Sequence, residues 1–143
     1  ASMFIPATAT TPLIKYSQDS LTLEIIGRSI PEDAMEFYDP VFRLLNESQK
    51  RLKRTIKVLF QFEYFNTHSS RMLLDILKQL EKLKDDGLTV NTFWVCEEED
   101  EDMIHFGEDV QTLVKVPMEI TVLEEHEYDE RLRSAIRESQ IKV

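Results

Sequence analysis

The sequence has only three glycines, one cysteine and three histidines among its 143 residues. Each scarcity excludes something. A loop that cradles phosphate draws on glycine for its tight turn and for close backbone approach, so a nucleotide-binding enzyme is not expected. Cys96 has no partner for an intramolecular disulfide, and no charged leader followed by an apolar core opens the chain, so a reducing, cytoplasmic setting is expected. No apolar run approaches the ~20 residues that span a bilayer. Positive charge is short as well: 17 Lys and Arg stand against 27 Asp and Glu, a formal net charge of −10. Affinity for nucleic acid or an anionic membrane comes largely from Lys and Arg, so neither is an expected partner.

What is present reads as alternating strands and helices in one domain. Leu21 to Gly27 alternates apolar and polar residues, and Leu13 to Tyr16 is its candidate hairpin partner. Ser29 then stands as a candidate N-cap, with Pro31, Glu32 and Asp33 in a first turn, and Asp39-Pro40 predicts a kink or restart. Phe42, Leu45 and Leu52 continue the buried side, and Lys50, Arg51, Lys53, Arg54 and Lys57 suit a helix end. Thr55 to Phe65 is the most strand-like stretch: Ile56, Val58, Phe60, Phe62 and Tyr64 point one way and Lys57, Leu59, Gln61, Glu63 and Phe65 the other. From Ser69 the period becomes helical, with Leu73, Ile76, Leu77, Leu80 and Leu83 in a stripe that ends at Gly87. Leu88 to Val95 reads as the next strand, and a strand, helix, strand unit predicts a parallel crossover. The acidic run Glu97 to Asp102 is a solvated loop or the start of a helix; Met103, Phe106, Val110 and Leu113 or Val114 then repeat at helical spacing, weakened by Gly107; Met118 to Leu123 is a last strand, and His126 to Gln140 a C-terminal helix.

Little of this carries chemistry. The acidic run lacks the ligand alternation and glycine of a calcium loop, and His68, His105 and His126 form no metal pattern with Cys96. No nucleophile elbow is present, and Cys96 reads as a small core residue. No metal, cofactor or catalytic residue is therefore expected. The exception is Asn66-Thr67-His68-Ser69-Ser70, at the hand-over from strand to helix. One reading is generous capping, with Asn66 or Thr67 in a side-chain turn and Ser69 on the first free amides. The other is that Thr67, just ahead of the helix, is a phosphoacceptor: a phosphate there adds ≈ −1.5 to −2 charge beside unpaired amides. Met72 and Phe65 are candidate apolar anchors for a partner.

The run from Asn66 through Arg71-Met72-Leu73-Leu74-Asp75-Ile76-Leu77 resembles the signature of the SiaC family of bacterial regulatory phosphoproteins, an Asn-Thr-Ser-Ser turn followed by a Leu-Leu-Asp-Ile-Leu-like helix. Ile5-Pro6-Ala7-Thr8, Thr11-Pro12, Leu23 to Gly27, Ser29-Ile30-Pro31-Glu32 and Phe37-Tyr38 also resemble the family. The resemblance implies an α/β fold like that of the STAS domains, a mixed sheet of about five strands with helices packed mainly on one face. It places a single domain over residues 3–124 and a C-terminal helical extension over 125–143. It further implies a protein that is not an enzyme, phosphorylated on Thr67 by a serine/threonine kinase with a histidine-kinase-like ATPase fold. A metal-dependent serine/threonine phosphatase would reverse this, and an output protein such as a diguanylate cyclase, controlling cyclic-di-GMP and biofilm formation, would be the target. Asn66, His68, Ser69, Ser70, Arg71 and Met72 become turn, cap and partner-interface candidates. His68 departs from the family's usual serine, replacing a hydroxyl by a ring whose unperturbed pKa is ~6.5.

Overall fold

The computed structural model describes residues 2–48 and 53–142, in which six strands and four helices form one mixed α/β sheet with helices on both faces. The strands lie in chain order: β1 (Met3–Ile5), β2 (Leu13–Ser17) and β3 (Thr22–Ser29) are antiparallel neighbours, and β3, β4 (Thr55–Phe65), β5 (Thr89–Glu97) and β6 (Met118–Leu123) run parallel. The sheet thus has one strand more than expected. β1 is only three residues long and carries no readable alternation.

Parallel neighbours need a crossover, and three helices supply it on one face: α1 (Ala34–Ser48), α2 (Thr67–Asp85) and α3 (Glu101–Leu113). The stripe Leu73, Ile76, Leu77, Leu80 and Leu83 is buried throughout against Ile56, Val58, Phe60 and Phe62 of β4. α2 stops where Gly87 takes a φ of 108°, a conformation that glycine adopts without Cβ strain, and Leu88 N–H closes onto the Leu83 carbonyl. Gly107 does more than weaken α3: a Cβ there would lie 2.5 Å from Cδ1 of Trp94, so its absence lets the helix approach the indole. The fourth helix, α4 (Glu125–Lys142), packs on the other face, where Leu132 and Ala135 meet Leu13, Ile26 and Leu59.

Two expectations about the first crossover change. Ser29 does not cap α1; it ends β3 and is fully buried, while the Asp33 carboxylate accepts from Glu36 N–H and takes the cap position four residues later. The helix then continues through Pro40 instead of restarting, because Tyr38, Val41, Leu44 and Leu45 keep both halves on one buried stripe. Phe42 is half-buried and Leu45 buried as expected; Lys50, Arg51 and Leu52 lie outside the described residues. Lys53 and Arg54 sit in the turn before β4, where Arg54 donates to the Asp19 carbonyl, and Lys57 is exposed on the strand.

Candidate functional site

Strand β4 delivers the hydroxyl-rich turn. Its pairing with β3 is regular to Gly27 and Phe62, then shifts so that Arg28 faces Tyr64 and Ser29 faces Phe65. A bulge of this kind inserts one residue and exchanges the faces beyond it. Tyr64 therefore turns out to solvent, 49% exposed and under the Arg28 guanidinium, whereas Phe65 packs inward on Phe62, Trp94 and Phe106. This reverses the facing read from alternation and removes Phe65 as a surface anchor.

Asn66 follows as the N-cap of α2. Its backbone is extended, and its side-chain oxygen accepts from Ser69 N–H at 2.9 Å. The helix thus begins at Thr67, two residues before the sequence pattern placed it, and Ser69 is not the cap. The Ser69 side chain is wholly buried: its hydroxyl donates to the Ser29 carbonyl at 3.0 Å and lies 2.8 Å from Ser29 Oγ, which lies 2.6 Å from the Tyr38 hydroxyl. Each hydroxyl has one hydrogen, so the geometry assigns the order. Ser69 gives its hydrogen to the carbonyl, Ser29 gives its own to Ser69 Oγ, and Tyr38 donates to Ser29 Oγ. Burial holds the Tyr38 phenol far above its ordinary range, although the Ser29 bond opposes this, so it remains a donor.

The neighbours divide cleanly. Thr67 and His68 are exposed; Ser70 is half-buried and its hydroxyl donates to the Thr67 carbonyl at 2.7 Å. Arg71 is exposed, and Met72 is buried enough to offer only one edge. His68, Arg71, Met72 and Asp75 line one wall of a groove of about 600 Å³, and Glu32, Asp33, Ala34 and Met35, from the start of α1, line the other. Met35 is 73% exposed and takes the place foreseen for Phe65 as an apolar contact. Sequence reasoning missed the roles of Ser29, Tyr38 and Met35. Nothing local signals the first two, since their roles depend on a helix start 38 residues beyond Ser29. Met35 could have been found from its position in the first turn of α1, off the buried stripe.

Among the described residues no cluster of three or more His, Cys, Asp or Glu side chains is placed to hold a metal ion, and no helix is long and apolar enough to cross a membrane. The Cys96 thiol is buried and pushed up to about 11, first by loss of water and then by the charges of Asp100 and Glu108. A nucleophile needs the opposite environment.

A mixed sheet that brings one exposed threonine to a helix start, beside a groove between two helices, has the form of a regulatory binding domain. The profile of the SiaC family of regulatory phosphoproteins matches residues 5–123, and the chain belongs to that family. An uncharacterized protein of Pseudomonas aeruginosa (strain UCBPP-PA14) is 28% identical over 129 residues, a match covering 87% of this chain and 99% of that protein. The fold superposes on a chain of the crystal structure of the diguanylate cyclase SiaD in complex with its activator SiaC from P. aeruginosa, with a TM-score of 0.80 and 25% identity over 85% of this chain and 99% of that one. The crystal structure of apo-SiaC from the same organism gives a TM-score of 0.77 at 24% identity, over 85% of this chain and 98% of that one, which supports the fold alone.

Proposed function

We propose that the chain is a cytoplasmic, non-catalytic binding protein whose affinity for an output protein is gated by reversible phosphorylation of Thr67. The observation that carries this reading is the division of hydroxyls in the turn: Thr67 is exposed at the first helical residue, whereas Ser69, two residues on, is fully buried with its hydrogen committed. A phosphate on Thr67 adds about −1.5 to −2 charge at the positive end of α2. It stands beside the acidic groove that Glu32, Asp33 and Asp75 share with Arg71, so it alters a docking surface without requiring the core to move. Arg71, one helical turn from Thr67, is within reach of such a phosphate.

Family membership supports the regulatory role, and the likeness to a structure of SiaC as activator of a diguanylate cyclase supports an output enzyme of that kind. The kinase in this reading carries a histidine-kinase-like ATPase fold and the opposing phosphatase is metal-dependent. Asn66, Ser69 and Ser70 shape the turn, and His68, Arg71 and Met72 face the partner. Residues 3–124 form the family unit and 125–143 an extension of it. Titration calorimetry of a SiaD-like diguanylate cyclase against the unmodified chain and the chain carrying phosphothreonine at 67 tests the gating. The expected result is at least a tenfold difference in Kd, about 1.4 kcal/mol; equal affinities would remove the switch.

A further inference from the structure

Helix α4 meets the sheet where the central strand parts from its neighbour. β4 is paired with β5 only from Thr55 to Phe60, whereas its pairing with β3 runs on to Phe65. The outgoing residues Gln61 to Phe65, which lead straight into Asn66 and Thr67, thus have a strand on one side only. Backbone groups in such a position need other partners. Tyr128 of α4 supplies one: its hydroxyl donates to the Phe62 carbonyl at 3.0 Å, while Gln61 Nε2 donates to the carbonyl of Tyr128 itself at 3.1 Å. Both side chains are buried, and Gln61 Oε1 has no hydrogen-bond partner among the described residues.

From Phe62 the path to the turn is short. Its ring meets Phe65 edge-on at 5.6 Å, Phe65 adjoins Asn66, and Asn66 N–H donates to the Ser29 carbonyl at 3.1 Å. α4 itself begins at Glu125, past the last residue that the family profile matches. Its other contacts with the sheet include the Tyr128 ring and Leu132 against Val95, Leu123 and Leu59, Leu132 and Ala135 on a patch with Leu13 and Ile26, the Lys15 to Glu138 ion pair, and Ser139 Oγ accepting from Ala7 N–H.

We propose that α4 is a second control input to the Thr67 turn, with Tyr128 as the positioning residue that transmits it. Seated, α4 fixes the outgoing half of β4 and with it the cap geometry around Thr67; lifted, it releases the Phe62 carbonyl and loosens the turn. The consequence for signalling rests on Thr67 being the modified residue, whereas the mechanical coupling rests on the contacts alone.

Hydrogen exchange on the full chain tests the coupling, because Asn66, Ser69 and Ser70 each have an amide bonded within or beside the turn. Tyr128→Phe keeps the ring and removes the hydroxyl, and Ser139→Ala is the control: it removes one hydrogen bond at the far end of α4 and leaves Tyr128 seated on the Phe62 carbonyl. In Tyr128→Phe these amides should exchange about 2- to 10-fold faster, the loss of one net hydrogen bond, and initial rates of Thr67 phosphorylation should change with them. Ser139→Ala should leave both as in wild type. Wild-type exchange in Tyr128→Phe, or equal acceleration in the two variants, would overturn the coupling. A kinase that leaves wild-type Thr67 unmodified would count against the functional reading, and the exchange comparison would still decide the coupling.

Discussion

At Ser69 the hydroxyl hydrogen is already spent on the Ser29 carbonyl and the oxygen receives the hydrogen of Ser29, so modifying it would break three buried groups at once. Thr67 carries no such commitment among the described residues. The contrast is measurable without any partner. Ser69→Ala leaves a buried donor and part of a carbonyl unmet, and urea denaturation should show a loss of about 1 to 3 kcal/mol. Thr67→Ala changes an exposed side chain and should stay within ~0.5 kcal/mol of wild type. A Ser69 variant as stable as the Thr67 variant would mean that the hydroxyl chain contributes nothing to the turn. The capped turn between β4 and α2 was legible from sequence because capping chemistry is local, although the cap falls to Asn66 and not to Ser69. The hydroxyl chain was not, because Ser29 looks like a helix cap until the strand it ends has been placed against α2.

Elements were legible in proportion to the length of their pattern. The five-residue stripe of α2 and the alternation of β4 identified both at sight, and every residue of the stripe is buried. The face swap at Tyr64 and Phe65 escaped because the bulge shows only in the pairing: Gly27 and Arg28 are adjacent on β3, whereas their partners Phe62 and Tyr64 leave Glu63 of β4 as the extra residue. Gly107 teaches the reverse lesson. Helix propensity favours alanine there by ~1 kcal/mol. A Cβ 2.5 Å from Cδ1 and 2.9 Å from Nε1 of Trp94 would instead push α3 off the indole, whose N–H donates to the Met103 carbonyl. Gly107→Ala should therefore lower stability by about 1 to 3 kcal/mol and shift the tryptophan emission, where propensity alone would raise the melting temperature.

For the whole molecule, three buried acids share one direction. Cys96 is raised from 9.0 to about 11, chiefly by burial, and the Tyr38 and Tyr128 phenols are raised for the same leading reason. When the folded pKa of an acid lies above the unfolded value, the unfolded chain gives up its proton first, so the stabilisation is full below the unfolded pKa and lost as pH rises through the folded one. Urea midpoints should therefore hold from neutrality to about pH 8.5 and fall between about 9 and 11. Midpoints unchanged to pH 11 would show that water reaches these groups. The central claim concerns a different proton, that of the Thr67 hydroxyl, and whether a kinase replaces it with phosphate while its buried neighbour is spared. Intact-mass and fragment analysis after incubation with the cognate kinase and ATP, for wild type and Thr67→Ala, tests this most directly. The expected result is a single added phosphate that maps to Thr67 and is absent from the variant. Phosphate on Ser69 or Ser70, or a Thr67→Ala chain modified as fully as wild type, would contradict it.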